Sequence, residues 1–305
     1  MQKLLDKILD QCRKETAKGA VANYIPELAK ADPNQLGICL VDEQGQCFCA
    51  GHWDHCFSMQ SVVKPLILLL ALQDSGVEAV RALVGMEATG KPFDAFNYSD
   101  RALSAAHINP MINTGAIALG TLIRGDTYEE KFDRLLELTR KLSGNPGVAV
   151  LEPVYLSEKA TGNKNRALAY MLKAYGMVSD PAEDMIDFYF KACSIGITCA
   201  DLARIAAVFA THGIDSSTGK RLIDADLARY VNATMATCGM YDGSGEFALQ
   251  VGIPAKSGVG GGIMGVVPRR LGVGVFAPAL DKKGNSVAGI KALELLSREL
   301  NLSVY

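Results

Sequence analysis

The sequence predicts an α+β fold: a mainly antiparallel sheet made from both ends of the chain, flanked by helices, with a large helical segment inserted between them. Three observations predict it. Near the N-terminus, GICLVD (37–42) and CFCAG (47–51) alternate apolar and polar residues around the turn sequence EQGQ, which reads as a β-hairpin. From about residue 62 to 240 the apolar spacing is helical. After residue 250 the pattern returns to short apolar strands at 254–258, 263–267 and 271–276, separated by turns. Two small groups of strands at opposite chain ends bury most surface by sharing one sheet. The expected division is therefore a sheet domain from 1–60 and 250–305 and a helical domain from 61–249, with a cleft where they meet.

The helices have individual signatures. Residues 1–17 place Leu4, Leu5, Ile8, Leu9 and Cys12 on one stripe. Residues 62–74 form the most apolar helix, with Pro65 in its first turn, where a missing N–H costs little. Pro110 opens another helix, running through Ile123, and 126–142 is amphipathic. Asp180-Pro181-Ala182-Glu183 combines a cap, a proline at the first helical position and an acid three residues after the cap. Thr198 starts a helix that stops at Gly213, and Asp224 starts one that stops at Gly239. A last helix spans about 286–300.

Composition excludes several classes of function. The 305 residues carry 31 Lys+Arg against 33 Asp+Glu, without a block of one sign, so nothing marks a nucleic-acid partner. The longest strongly apolar run, Leu66 to Leu72, is far short of the ~20 residues that a membrane-spanning helix needs. The start MQKLLDKILDQCRKE mixes acids and bases as an export signal does not, so a cytoplasmic location is expected. On that expectation the eight cysteines, none in a C-x-x-C, are read as thiols. His52, His55 and Cys56 are read as a polar loop rather than a zinc site, and no metal is expected.

The chemistry begins at Ser61-Val62-Val63-Lys64. On a helix, residues three apart share a face, so a lysine there can reach the serine hydroxyl. A helix N-terminus favours negative charge, and a lysine buried near it loses proton affinity, as a neutral base for serine must. A second S-x-x-K, Ser217 to Lys220, lies in a polar turn with no apolar helix behind it. Lys256-Ser257-Gly258 ends a short strand in the C-terminal group and can face a cleft from the sheet side. S-x-x-K on a helix together with K-S-G on a distant strand is a combination used by serine acyl-transfer enzymes of the β-lactamase and penicillin-binding type. Gly260, Gly262 and Gly265 match G-x-G-x-x-G, but they precede a strand with no βαβ unit around them and read as a tight turn.

Six motifs then occur in order: Phe57-Ser-Met-Gln-Ser61-Val-Val-Lys64-Pro65, Asn109-Pro-Met-Ile-Asn113-Thr-Gly-Ala116, Ser157-Glu158 with Gly162-Asn-Lys-Asn165, Asp187-Phe-Tyr189-Phe, Cys238-Gly-Met-Tyr241-Asp and Ala255-Lys-Ser-Gly-Val259. Together they resemble the serine-dependent glutaminase family, in its compact bacterial form, from about residue 20 to 300. The resemblance implies a β-lactamase-like fold and hydrolysis of L-glutamine to L-glutamate and ammonia. It implies Ser61 as nucleophile, Lys64 as its base and Tyr241 as a substrate contact and proton relay. Asn113, Glu158, Asn165 and Tyr189 would hold the amino-acid end of glutamine, and Gln60 would line the site. The backbone N–H groups of Ser61 and Val259 would form the oxyanion hole, with Lys256, Ser257 and Gly258 in support. It implies no cofactor, activation by phosphate in some members, and a homodimer or homotetramer. Val63 departs from the serine common at that position in bacterial members.

Elementary chemistry supports these roles. Glutamine carries an ammonium that calls for an anion, which Glu158 supplies. Its carboxylate calls for donors, which Asn113 and Asn165, both near helix N-termini, and the two tyrosines can supply. Two rivals remain open at this level. One is another serine acyl-transfer enzyme acting on β-lactams, esters or D-peptides. The other is an amino-acid sensor that kept the pocket and lost turnover.

Overall fold

The computed structural model describes residues 1–89 and 104–305. Helix α1 (Gln2–Cys12) buries Leu5, Ile8, Leu9 and Cys12 and passes into a 3₁₀ turn at Arg13–Lys18, where a continuous helix to residue 17 was expected. The hairpin follows as β1 (Gly37–Asp42) and β2 (Cys47–Gly51). Its turn is held by Asp42, whose carboxylate accepts from the backbone N–H groups of Gln44 and Gln46. Gly45 takes the left-handed φ of 80° that this turn requires. A two-residue strand β3 (Phe57–Ser58) leads into a 3₁₀ turn at Gln60–Val63 and then α2 (Lys64–Leu83).

The helical block continues with α3 (Asn113–Gly120), α4 (Tyr128–Ser143), α5 (Glu152–Thr161), α6 (Asn163–Ala174) and α7 (Ala182–Cys193). Strand β4 (Gly196–Ile197) pairs with β3. Helices α8 (Cys199–Ala210) and α9 (Ala225–Cys238) begin at the caps Thr198 and Asp224, as their sequences predict. A short α10 (Ser244–Gln250) precedes β5 (Ala255–Ser257), β6 (Gly262–Val267), β7 (Leu271–Phe276) and α11 (Val287–Leu300). Among the described residues, no helix is long and apolar enough to cross a membrane.

The strands from the two chain ends form one antiparallel sheet in the order β2-β1-β7-β6-β5. The join is β1 against β7, with Gly37 opposite Phe276 and Asp42 opposite Leu271. Both faces are covered. Ile38, Leu40, Ile263, Val273 and Val275 pack with α1 and α11, whereas Cys39, Val41, Met264 and Val266 pack against the helical block. Helix α8, although part of the inserted segment in sequence, lies directly on the sheet. It comes so close to β7 that a Cβ on Gly272 would stand 2.1 Å from the Ala207 backbone nitrogen, and one on Gly274 would stand 2.2 Å from the Cys199 oxygen.

One expectation is corrected. Cys39 and Cys49 are joined in a disulfide rather than being two thiols. They are directly opposed across the hairpin, with Cα atoms 4.2 Å apart. The other six cysteines are free.

The α8–β7 contact predicts that Gly274→Val is destabilising by about 1–3 kcal/mol, because the side chain must push a helix off the sheet. Urea unfolding measures it. An unchanged midpoint would mean that the glycine is not required for the contact.

Candidate active site

The site forms where the 3₁₀ turn before α2 meets β5, under a roof of α3, α5, α6 and α7. Ser61 sits in that turn and Lys64 opens α2. Gln60 holds a left-handed φ of 47°, uncommon for a residue other than glycine and the kind of local strain that gathers at functional sites. Gly258, just past β5, lets the strand edge approach this turn: a Cβ there would lie 2.7 Å from the Met59 carbonyl oxygen.

Lys64 is fully buried. Its Nζ lies 2.8 Å from Ser61 Oγ and 2.7 Å from Asn113 Oδ1, donating to both when charged. Burial lowers its pKa from the usual 10.5 to about 8, against the opposing influence of Glu158 and Cys193. A solvated lysine beside a capping serine would show neither the burial nor the shift.

Asn113, the first residue of α3, organises the rest. Its Oδ1 also accepts from the Tyr189 hydroxyl at 3.0 Å, and its Nδ2 donates to Asn165 Oδ1 at 2.8 Å. Tyr189 is buried on α7. Glu158, on α5, is buried too, and Gln60 Nε2 donates to it at 3.4 Å. Desolvation raises the Glu158 pKa to about 8, partly offset by that Gln60 contact and by Lys64. An ammonium brought beside it would restore the carboxylate by direct charge pairing.

Tyr241 begins a 3₁₀ turn after α9, again with a left-handed φ, here 55°. Burial raises its phenol pKa, while Ser61 and the Val259 backbone N–H act in the opposite direction. Lys256 lies behind it, fully buried, 4.3 Å from the centre of the tyrosine ring. Its Nζ donates to the carbonyl oxygens of Gly239 at 3.0 Å and Ser257 at 2.6 Å. Lys256 thus ties β5 to the end of α9 and backs Tyr241.

A cavity of about 400 Å³ opens over this group. Gln60, Ser61, Asn113, Glu158, Asn165, Tyr189 and Val259 all line it, so these sequence-predicted residues converge. Lys64 stands beneath Ser61, while Lys256, Ser257 and Gly258 lie in the wall behind. The cavity also has members to which the sequence reading gave no role: Tyr24 and Ile25 on one side, Thr161 and the motif residues Gly162 to Lys164 on another, and Cys193. Cys193 had a signal, since it lies four residues after Tyr189 on α7 and so on the same helix face. Tyr24, in an irregular segment, had none. A larger depression of about 720 Å³ over α4 and α7 is lined by charged side chains, several of them paired, such as Lys159 with Asp187.

The family model for glutaminase matches residues 19–305. A glutaminase of Clostridium tetani is 50% identical over 100% of both chains. A glutaminase of Clostridioides difficile is 49% identical over 99% of this chain and 98% of its own. The chain belongs to the glutaminase family. Its fold agrees: a Bacillus subtilis glutaminase, YbgJ, solved as a covalent complex with 5-oxo-L-norleucine, superposes with a TM-score of 0.91 at 34% identity, covering 100% of this chain and 99% of that one. As a family member this chain is a hydrolase of the glutamine amide C–N bond, and the family assignment sets aside β-lactams and D-peptides as the defining substrates.

The contact between Asn113 and Lys64 makes a prediction. Asn113→Asp would put a carboxylate 2.7 Å from the Lys64 nitrogen and favour its ammonium form, raising its pKa by about 1–3 units. If the neutral amine is the working form, activity rises with pH through the Lys64 pKa. The rising limb of kcat/KM against pH should therefore move upward, with a loss of about tenfold or more at pH 7. An unmoved limb would show that the group titrating there is not Lys64.

Proposed function

We propose that this glutaminase works through a γ-glutamyl ester on Ser61, with Lys64 as the base. The observation that carries the reading is the Lys64 amine, cut off from water, 2.8 Å from Ser61 Oγ. The neutral amine takes the hydroxyl proton as the oxygen attacks the side-chain amide carbon of glutamine. The N–H groups of Ser61 and Val259 stabilise the developing oxyanion, at ~2.7–4 kcal/mol for each such donor. The proton passes to the departing nitrogen through Lys64 and Tyr241, and ammonia leaves. Water then hydrolyses the ester, activated by the same base, and releases glutamate.

The α-amino-acid end of glutamine binds at the other end of the cavity. Glu158 takes the ammonium, and Asn165, Asn113 and Tyr189 stand where amide and hydroxyl donors can meet the carboxylate, with Gln60 bridging toward Ser61. Support for a covalent course comes from the YbgJ complex, formed by reaction of that relative with 6-diazo-5-oxo-L-norleucine. Side chains and backbone of this chain carry every step, so the reading assigns no role to a cofactor. Assembly as a homodimer or homotetramer and activation by phosphate belong to the reading as features implied by the family.

The test is ammonia release from L-glutamine by the wild type beside Ser61→Ala. Loss of the nucleophile should lower kcat by several orders of magnitude, as such losses do elsewhere, while the folded variant still binds glutamine. Near-wild-type turnover by the variant would overturn the assignment. Glutamine binding without ammonia release by the wild type would favour the sensor.

A further inference from the structure

At the edge of the sheet opposite β5, three sulfurs gather on one face. Cys39 and Cys49 are cross-strand partners, and Cys47, two residues along β2, points to the same side with its Sγ 3.4 Å from that of Cys49. All three sulfurs lie within 4.8 Å of one another, and no His, Asp or Glu joins them among the described residues. They span a gradient from buried Cys39 through half-buried Cys49 to exposed Cys47, so the group has a door to solvent. Burial pushes the Cys47 thiol up, the positive charge of Arg204 on α8 acts against that, and Lys141 lies with Arg204 in the adjoining groove. The two cations favour a cluster that carries excess negative charge.

We propose that the reduced form of Cys39, Cys47 and Cys49 is a trigonal thiolate site for a soft monovalent cation, Cu(I). Thiolates select soft metals, and three sulfurs without a fourth ligand suit a three-coordinate Cu(I) better than the tetrahedral set that structural zinc requires. The disulfide and the metal exclude each other, because the bond consumes two of the three ligands. Two small-molecule thiols open it: they are oxidised to their own disulfide, and Cys39 and Cys49 each receive one electron and one proton. Binding then releases the three thiol protons and forms three Cu–S bonds, without change in the oxidation state of copper. The site is separate from glutamine hydrolysis, whose K-S-G strand is the other edge of the sheet.

The experiment reduces the full chain with excess small thiol, removes the thiol anaerobically and titrates the protein with Cu(I) held by bicinchoninate. Reduced wild type should withdraw one equivalent of copper, and the disulfide form, verified by thiol titration, should withdraw none. Cys47→Ser changes an exposed residue and should weaken binding at least about tenfold. Cys56→Ser, an exposed thiol outside the cluster, should bind as the wild type does. Ammonia release, which neither residue serves, checks that both variants are folded. The proposal fails if reduced wild type takes no copper, if Cys47→Ser holds it as tightly, or if Cys56→Ser loses it.

Discussion

The burial of one lysine amine governs this structure. An ammonium without water is costly, and the fall of the Lys64 pKa from 10.5 to about 8 corresponds to roughly 3 kcal/mol against the charged form. In the proposed mechanism that cost is what makes the group useful, since a lysine that stays protonated cannot accept a proton from serine. The arrangement around it keeps the balance. Asn113 supplies a neutral acceptor rather than a carboxylate, so the amine is oriented without being driven back to its charged form. Glu158, the one acid among the described residues that line the cavity, is itself desolvated, and in the proposed reading it meets the cation of the substrate.

Such a pocket needs walls from distant parts of the chain, and the fold supplies them by joining its ends. Pairing β1 with β7 closes the sheet, which sets β5 against the turn that carries Ser61. Helix α8 then locks the inserted segment to the sheet through two glycines on β7. The helices α3, α5 and α7 deliver Asn113, Glu158 and Tyr189 from one side, while α9 and Lys256 hold Tyr241 on the other. Gln60 and Tyr241 both adopt left-handed backbone conformations where these two halves meet, a strain that the packed surroundings sustain.

Much of this was legible in the chain. The alternation at 37–42 and 47–51, the caps at Thr198 and Asp224, and the pairing of S-x-x-K with K-S-G each reflect local rules that survive folding. Ordered motifs drew Asn113, Glu158, Asn165 and Tyr189 to one site although each alone reads as a cap, a loop acid or a core aromatic. What stayed hidden depends on long-range geometry. The Cys39–Cys49 pairing depends on strand register and lay hidden behind the expectation of a thiol-only protein. Tyr24 reaches the cavity from an irregular segment whose path no periodicity reveals. The seating of α8 on the sheet is written only in Gly272 and Gly274, which in sequence look like weak points of a strand.

The account turns on Ser61 being the nucleophile in a cavity that also contains the Cys193 thiol. Burial pushes that thiol pKa far up and leaves it a poor nucleophile, whereas Ser61 has the Lys64 amine 2.8 Å away. The most direct measurement is covalent labelling with 6-diazo-5-oxo-L-norleucine followed by peptide mapping by mass spectrometry. The account predicts one label per chain, on Ser61, coincident with loss of activity. A label on Cys193, or inactivation with Ser61 unmodified, would contradict it.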